Sequence, residues 1–323
     1  MVSKLAPALL AGCAVVIKPA AETPLDALVL GDLIEQLDLP PGVVSIVPGG
    51  RATGEHLVGH AGVDKVSFTG STAAGRSVAA RCGQDLKRMS LELGGKSAAV
   101  VLDDADPVRV AQGIKTAGLM NSGQACVAQT RILVPKARRE EHLEALASMI
   151  DGLVVGDPMD RATEIGPLVA QRQQERVRRF ITGAVADGAS LVTGGVELPA
   201  GIDRGWYISP TLLSDVSNDM VIAQQEVFGP VLTVTTYDGD DQAIALANDS
   251  DYGLSGSVWT DDVDRGSEVA RRVRAGSFGV NQPYSMDPAA PFGGVKASGF
   301  GREMGSEGLD EYTDTKSISV GTL

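Results

Sequence analysis

Cys126 is the residue of this sequence with the clearest capacity for covalent chemistry. It ends the segment NSGQAC (121–126), where a single cysteine follows a Gly-Gln turn and small neighbours leave room for a substrate carbonyl. This arrangement predicts a nucleophilic thiolate. The alternative is a buried structural cysteine, which single cysteines usually are. A histidine is absent from the nearby sequence, so a Cys–His pair of the protease type has little support.

Glu92 is the second candidate, in the segment LELGGKS (91–97). It lies between two leucines and directly before two glycines, where a predicted strand leaves the core. A carboxylate that is partly desolvated there would have a raised pKa and could act as a base near neutral pH. The alternative is a strand-end glutamate that pairs with Lys96, and the segment in isolation favours that alternative.

Two further segments have features of a nucleotide site. In FTGSTAAG (68–75), a predicted strand runs into Gly70, and Ser71 opens a predicted helix whose N–H groups and dipole could hold a phosphate. The spacing is not the G-x-G-x-x-G fingerprint, and a plain N-cap explains the same residues. Lys18, in VIKP (16–19), follows the first predicted strand and in isolation is better explained as a solvated strand-end lysine.

The elements that must position these residues follow from the hydrophobic pattern. In the first part of the chain, apolar runs alternate with segments of helical spacing. Repetition of strand, helix and strand at this pitch predicts a parallel sheet covered by helices, which is one half of a doubly wound α/β fold. The predicted strands are 14–17, 43–47, 66–69 and 90–93, and the predicted helices are 24–37, 53–59 and 73–82.

The pattern restarts after residue 95 with a second α/β segment. The tail, 312–320, alternates polar and apolar residues, which is typical of an edge strand. The predicted helices of this part are 108–119, 139–150, 172–187 and 268–274, and the predicted strands are 98–102, 231–237, 256–259 and 277–281.

Composition excludes several classes of function. The chain has 323 residues, 43% of them hydrophobic and 21% charged, as in ordinary globular proteins. Its net charge of −13 argues against nucleic acid as a partner. No apolar run approaches the roughly 20 residues of a membrane helix, and the start lacks a signal peptide. Three widely spaced cysteines and three histidines predict neither a disulfide framework nor a metal site, so a reduced cytoplasm is expected.

Considered together, the four segments above and three later ones match, in order and spacing, the motifs of the aldehyde dehydrogenase superfamily. Any one motif is weak, whereas seven in register are specific. The chain therefore resembles this family over essentially its whole length, from Lys4 to Val320. The later motifs are EVFGP (226–230), ANDSDYGL (247–254) and PFGGVKASG (291–299).

The resemblance implies a role for each matching residue. Cys126 corresponds to the family nucleophile, which adds to the aldehyde carbon, and Glu92 corresponds to the general base, which activates the cysteine, the deacylating water or both. Phe292 corresponds to a position that lines the substrate pocket. Lys18 corresponds to the residue that holds the adenosine ribose, Gly70, Ser71 and Gly75 to the pyrophosphate segment, and Glu226 and Phe228 to the contacts with the nicotinamide ribose.

The resemblance also implies an architecture and partners. We expect a partial Rossmann-like cofactor domain (1–94), an α/β catalytic domain (95–305), and a C-terminal tail (306–323) whose strand serves oligomerisation into a homodimer or homotetramer. The expected cofactor is NAD, with NADP as an alternative, because Ala21 occupies the position where the family often has an acidic residue that binds the adenosine 2′-hydroxyl.

A larger departure concerns the segment upstream of the matched motifs. Family members continue for well over a hundred residues before the position that Met1 matches, and a second oxyanion donor, an asparagine, lies in that segment. The sequence is therefore expected to be an N-terminally truncated form, unstable or inactive by itself. The alternatives are a coenzyme-A-acylating dehydrogenase, which the intact Glu92 motif disfavours, and an inactive fragment that acts as a binding or oligomerising module.

Overall fold

The structure, a computed structural model, describes residues 1–283 and 287–321. The described chain divides into two compact units. The first comprises residues 1–92, 287–293 and 299–321, and the second comprises 93–283 and 294–298. The chain thus first passes from one unit to the other two residues before the predicted domain boundary at 94. The functional division into 1–94, 95–305 and 306–323 stays a prediction.

All seven predicted helices are present. The largest shift is at the tenth helix, which begins at Val263 instead of Glu268 because the Asp262 side chain caps it by accepting a hydrogen bond from the Arg265 N–H at 3.0 Å. The helices are α1 Val2–Leu10, α2 Leu25–Ile34, α3 Arg51–Gly59, α4 Thr72–Gln84, α5 Pro107–Leu119, α6 Arg139–Asp151, α7 Gln171–Ala186, α8 Val221–Gln224, α9 Asp240–Asn248, α10 Val263–Arg272 and α11 Gly305–Asp310.

The predicted strands are present apart from the tail. The strands are β1 Val15–Ile17, β2 Val44–Ile46, β3 Lys65–Thr69, β4 Arg88–Glu92, β5 Ala98–Val101, β6 Arg131–Pro135, β7 Ser190–Gly195, β8 Ser209–Ser214, β9 Val231–Tyr237, β10 Tyr252–Gly253, β11 Gly256–Trp259, β12 Gly279–Val280, β13 Val295–Lys296 and β14 Gly299–Phe300. Three strands of the largest sheet, β6, β7 and β8, and the two-residue strands β10, β13 and β14 were not predicted.

The first unit contains two small sheets where one continuous parallel sheet was predicted. β1 pairs in parallel with β2, and β4 lies between β3, which is parallel to it, and β14, which is antiparallel. One continuous sheet would need hydrogen bonds between a strand of the β1–β2 pair and a strand of the β14-β4-β3 sheet. No strand of the described residues makes that connection. The parallel pairing was predicted correctly, but the continuity was not.

Helix α2 leaves an apolar stripe in water. Ala27 is its buried residue, whereas the large side chains at spacings of three and four residues point outward. A surface helix of a globular protein normally buries such a stripe, so this face of the first unit is unusual. The exposed residues of the stripe are Leu25, Leu28, Val29 and Leu33.

The second unit is built on a seven-stranded sheet with the order β12-β11-β5-β6-β9-β8-β7. Its strands are parallel except for the antiparallel pair β7–β8. Along β5, Ala99 and Val101 pack into one core with α5 and α6, whereas Ala98 and Val100 pack into another core with α9 and α10. Because successive side chains of a strand face opposite sides, helices cover both faces of this sheet, which agrees with the α/β pattern predicted for the second part of the chain.

The C-terminal tail differs from the prediction of an edge strand. Residues 313–320 are exposed and form no strand with any described part of the chain. An extended segment becomes a strand when a neighbouring strand supplies its hydrogen bonds, and a single copy of the chain provides none here. The alternation of polar and apolar residues predicted a strand that the described residues do not form.

The described residues offer neither a membrane-spanning helix nor a metal cluster. None of the helices in residues 1–283 and 287–321 is long and apolar enough to cross a membrane. The same residues contain no group of three or more histidine, cysteine, aspartate or glutamate side chains that could hold a metal ion.

His142 is a buried imidazole in α6, and both its ring nitrogens lack a hydrogen-bond partner among the described residues. Burial, together with the positive charge of Arg138, lowers its pKa from 6.5 to about 4, against the opposing charges of Glu141 and Asp106. As the pH falls, His142 therefore binds a proton in the unfolded chain before it does so in the folded protein. The contribution of neutral His142 to the free energy of unfolding is complete above pH 6.5 and is lost as the pH falls toward 4.

We therefore predict that His142→Phe stabilises the protein. The substitution fills the same space without unsatisfied polar atoms, so the free energy of unfolding at pH 7 should rise by about 1–3 kcal/mol. The loss of stability between pH 6.5 and 4 should also become smaller. Denaturant unfolding across this pH range measures both effects. The matched control is His56→Phe, at an exposed position of α3, and equal stability of the two variants would contradict the prediction.

Candidate active site

The turn before Cys126 is strained and tightly held. After α5, residues Asn121, Ser122 and Gly123 have φ values of 52°, 56° and 71°. Such a conformation is costly for residues other than glycine. The Ser122 hydroxyl offsets part of that cost because it donates to the Gly166 carbonyl at 3.0 Å and accepts from the Gly166 N–H at 3.1 Å. The half-buried Cys126 follows this turn at a fixed place.

Gln124 has a structural role that the sequence analysis missed. Its amide nitrogen donates to the Asn121 carbonyl at 3.2 Å, and its amide oxygen accepts from the Val169 N–H at 2.9 Å. The Gly-Gln pair was recognised as the start of the nucleophile turn, but a sequence pattern does not reveal a bond to a residue 45 positions away. Gln124 therefore stabilises the turn from both sides.

The dipeptide Gly94-Gly95 contacts two of the predicted site residues. A Cβ atom on Gly95 would clash with the Cys126 carbonyl oxygen, and one on Gly94 would lie 2.7 Å from Oε2 of Glu226. The Gly95 N–H also donates to Oε1 of Glu226 at 3.0 Å. The absence of both side chains therefore lets the Cys126 backbone and the Glu226 carboxylate lie against the same two residues.

Glu226 and Phe228 lie in a loop fixed by α7. Arg176 donates to the Glu226 carbonyl at 2.5 Å, and the Gln173 amide donates to the Phe228 carbonyl at 2.9 Å. Phe228 has a φ of 61°, which is uncommon for an aromatic residue. Burial raises the pKa of the Glu226 carboxyl, while the Gly95 N–H, Arg176 and Lys96 act in the opposite direction.

Glu92, in the first unit, is the last residue of β4. It is 4% exposed, and neither carboxylate oxygen has a hydrogen-bond partner among the described residues. Burial raises its pKa from 4.5 to about 7, and the charges of Lys4 and Arg302 oppose that shift. The predicted desolvated carboxylate is confirmed. The alternative, neutralisation by Lys96, finds no support, because the Lys96 Nζ also lacks a partner in the described chain.

The charges that act on Glu92 were not found from the sequence. Lys4 is in α1, where it forms an ion pair with Glu303, and the Ser3 hydroxyl donates to the same carboxylate at 2.6 Å. Helix α1 was not predicted because Pro7 lies inside it. Contacts across nearly 300 positions of sequence leave no local signal.

The predicted pyrophosphate residues lie in the first unit, where Gly70 and Ser71 follow β3 and Gly75 lies in α4. Ser71 is the N-cap of α4, and its hydroxyl accepts from the Ala74 N–H at 3.3 Å. Gly70 donates its N–H to the Glu92 carbonyl at 3.1 Å, and Gly75 is buried within α4. The plain N-cap that the sequence allowed is therefore present, and Ser71 itself is exposed.

Lys18 follows β1, where its Nζ donates to the Pro19 carbonyl at 2.6 Å and to the Gly49 carbonyl at 3.2 Å. It thus lies at the carboxyl ends of β1 and β2, and ligands bind at such ends in open α/β sheets. The prediction of a merely solvated lysine is wrong, since the side chain is half-buried and bonded. Phe292 is also half-buried, and its backbone exchanges two hydrogen bonds of 2.7 Å with Glu303.

Comparison with known proteins identifies the family. The model of the aldehyde dehydrogenase family matches residues 1–318. The chain belongs to this family. Geranial dehydrogenase of Castellaniella defragrans is 48% identical over 315 residues, which are 98% of this chain and 65% of that protein. Betaine aldehyde dehydrogenase of Rhizobium leguminosarum bv. trifolii is 43% identical over 320 residues, again 98% of this chain and 65% of that protein.

Solved structures of aldehyde dehydrogenases agree with the fold. A Mycobacterium tuberculosis aldehyde dehydrogenase complexed with NAD+ has a TM-score of 0.97 and 48% identity, covering 99% of this chain and 66% of that one. A mutant of aldehyde dehydrogenase C from Pseudomonas syringae, complexed with NAD+ and octanal, has a TM-score of 0.96 and 41% identity, covering 99% and 67%. The chain thus spans about 65% of the length of the curated relatives it matches.

Glu92→Gln provides a test of the buried carboxyl group. Because the folded-state pKa of about 7 lies above the ordinary 4.5, the stability contributed by the protonated acid is complete below pH 4.5 and is lost as the pH rises through 7. The neutral amide keeps the shape without the charge. At pH 8 we therefore expect this variant to be more stable than the wild-type protein by roughly 1–3 kcal/mol.

Denaturant unfolding at pH 5 and pH 8 measures this difference, which should be small at pH 5. Glu144→Gln, at an exposed position of α6, is the matched control and should leave stability unchanged at both pH values. Equal stability of Glu92→Gln and the wild-type protein at pH 8 would contradict the buried carboxyl.

Proposed function

We propose that this chain oxidises an aldehyde to a carboxylic acid with NAD+, with Cys126 as the nucleophile and Glu92 as the general base. The observation that carries the proposal is the buried Glu92 carboxyl, whose pKa of about 7 suits a base at neutral pH. Membership of the aldehyde dehydrogenase family supports the reaction class. Because the chain spans about 65% of its relatives' length, the activity is a proposal for this chain.

Cys126 carries the covalent part of the proposed mechanism. Its thiolate adds to the carbonyl carbon, forming a C–S bond and placing negative charge on the carbonyl oxygen. The backbone N–H of Cys126 stabilises that oxyanion by a hydrogen bond. Loss of a hydride from the thiohemiacetal leaves a thioester on Cys126. The strained turn at 121–123 contributes by holding the sulfur in one place, so little ordering remains to be done during the reaction.

Glu92 supplies the base for the second half of the proposed mechanism. Its carboxylate takes a proton from water as the water oxygen adds to the thioester carbon. The C–S bond then breaks, the carboxylic acid leaves, and Cys126 returns as a thiolate. The same carboxylate can deprotonate the thiol at the start. The charges of Lys4 and Arg302 favour the ionised form, which the base requires, and keep burial from raising the pKa further.

Residues of each unit would bind a different part of the cofactor. In the first unit, the exposed start of α4 at Gly70 and Ser71 suits a pyrophosphate, and Gly75 adds no side chain to the first turns of that helix. The Lys18 ammonium has three N–H donors, of which two bind backbone carbonyls, and the third can bind a ribose hydroxyl. In the second unit, Glu226 and Phe228 are proposed to contact the nicotinamide ribose. When bound, NAD+ supplies the hydride acceptor. These residues fit that group.

Substrate and assembly are proposed at the level of class. A small-molecule aldehyde is the substrate, with Phe292 lining its pocket, which agrees with relatives named for geranial and for betaine aldehyde and with the neighbour complexed with octanal. The unpaired tail 313–320 supports assembly into a homodimer or homotetramer, because a second copy could supply the missing strand neighbour. A cytoplasmic location is part of the same proposal.

Two substitutions separate the proposed catalytic roles. Cys126→Ala should abolish aldehyde oxidation and leave NAD+ binding nearly unchanged, because the thiolate is needed for every turnover. Glu92→Gln should still form the thioester but accumulate it, because water then lacks its base. Steady-state NADH formation and mass spectrometry of the protein with an added aldehyde measure these outcomes.

The assays use the chain as printed and a form that also carries the portion of geranial dehydrogenase that this chain does not match. Cys82→Ala, at a buried position of α4, is the matched control and should keep activity. Turnover that survives Cys126→Ala, or rapid deacylation in Glu92→Gln, would remove the respective residue from its role. Binding of NAD+ without turnover in either form would favour a non-catalytic module instead.

A separate prediction concerns the choice between NAD and NADP. Ala21 provides no carboxylate to repel a 2′-phosphate, so we expect NAD to be preferred only modestly. Ala21→Glu should raise the ratio of kcat/KM for NAD over NADP by about tenfold or more. The reason is that repulsion between the new carboxylate and the 2′-phosphate of NADP should cost at least about 1.4 kcal/mol. A wild-type ratio above about a thousandfold, near 4 kcal/mol, would show that another residue excludes NADP.

A further inference from the structure

Lys96 is a buried cation that the mechanism above does not use. It follows Gly95 directly, is 2% exposed, and its Nζ has no hydrogen-bond partner among the described residues. Removing an ammonium group from water is costly unless nearby charges or polar atoms compensate. The surroundings of Lys96 should therefore show what its charge does in the second unit.

Two charged groups act on Lys96. Arg131, at the start of β6, is also buried, and its guanidinium donates to Asn218 Oδ1 at 2.7 Å and to the Leu246 carbonyl at 2.6 Å. Burial lowers the pKa of Lys96 to about 7, the Arg131 charge lowers it as well, and the Glu226 carboxylate acts in the opposite direction. Glu226 is therefore the anion that favours a charged Lys96.

The ionisation of Glu226 depends in turn on the charge of Lys96. Burial favours its protonated form, and three groups oppose this: the Gly95 N–H, Arg176 and Lys96. Arg176 donates to the Glu226 backbone carbonyl, whereas the Gly95 N–H holds the carboxylate itself at 3.0 Å. The two residues that follow each other, Gly95 and Lys96, thus supply a hydrogen bond and a positive charge to one carboxylate.

We propose that Lys96 is a positioning residue for Glu226: its buried ammonium keeps the Glu226 carboxylate ionised and seated on the Gly95 N–H, ready to accept the hydroxyl groups of the nicotinamide ribose. This inference rests on the proposed NAD-binding role of Glu226. It adds that hydrogen bonding of Glu226 to the ribose hydroxyl groups depends on a second ionised group, the Lys96 ammonium.

A pH dependence follows from this arrangement. At pH 6 Lys96, with a pKa of about 7, is charged and opposes protonation of the buried Glu226 carboxyl. At pH 8.5 Lys96 is neutral, but Glu226 is ionised without its help. Loss of Lys96 should therefore weaken NAD+ binding at pH 6 and have little effect at pH 8.5. A residue that merely filled space next to Gly95 would not produce such a profile.

The test is direct measurement of NAD+ binding by calorimetry from pH 6 to pH 8.5. The wild-type protein should keep its affinity within about threefold over this range, whereas Lys96→Met should match it at pH 8.5 and bind about tenfold more weakly at pH 6, because Glu226 then takes up a proton. In a Glu226→Gln background, Lys96→Met should cost little more, because the carboxylate that it serves is gone. Lys115→Met, at an ion pair near the surface with Glu164, is the matched control and should keep the wild-type profile.

The outcomes separate this inference from the proposed function. If the wild-type protein binds NAD+ but Lys96→Met keeps its pH profile, or if the losses from the Lys96 and Glu226 substitutions simply add, Lys96 is not a positioning residue. If the wild-type protein binds no NAD+ at any pH, the proposed function and this inference both fail. Should Lys96→Met not fold, Lys96→Gln, which keeps a polar end of similar length, gives the same comparison.

Discussion

The close approach at Gly94-Gly95 is the constraint on which the second unit's part of the candidate site depends. Backbone and side-chain atoms of two distant segments occupy the space that Cβ atoms would need there, namely the Cys126 carbonyl and the Glu226 carboxylate. A single methyl group at either position would displace one of them. The dipeptide also directly follows Glu92 and Leu93, so one stretch of five residues, from Glu92 to Lys96, contributes a buried acid, two close contacts and a buried cation.

Burial, more than pairing, sets the ionisation of the groups in this stretch. Glu92 and Lys96 are both almost fully buried, neither terminal group has a hydrogen-bond partner in the described chain, and both pKa values move to about 7 from opposite directions. Desolvation favours the neutral form of each group, so an acid shifts up and a base shifts down. Two side chains of opposite charge thereby come to titrate near the same pH, a property that surface ion pairs lack.

The sequence predicted the local settings of the candidate residues better than their long-range contacts. The desolvated Glu92 could be predicted because leucines flank it and a strand ends there. The turn before Cys126 could be predicted from its small residues. By contrast, β6 was missed although it lies in the middle of the large sheet, because it begins with Arg131 and ends with Pro135, neither typical of a buried strand. Arg131 is tolerated because an amide and backbone carbonyls solvate it, and only folding reveals those partners.

Long-range contacts explain the other differences. The interactions of Lys4 with Glu303 and of Gln124 with Val169 join residues far apart in sequence, and neither leaves a local pattern. The tail illustrates the opposite case. Its alternation predicted an edge strand, but a strand forms only where a neighbouring strand supplies hydrogen bonds, and the described residues supply none to 313–320.

The exposed stripe on α2 links the behaviour of this protein to the composition of its solvent. Salts that are excluded from protein surfaces, such as sulfate and phosphate, raise the free energy of apolar groups in water. For most proteins they mainly favour the folded state, but here they would also favour contact between the stripes of neighbouring molecules. Buffer anions would then change the fraction of single chains in a preparation. Two preparations of the same chain that differ only in buffer salt would therefore differ in their state of association.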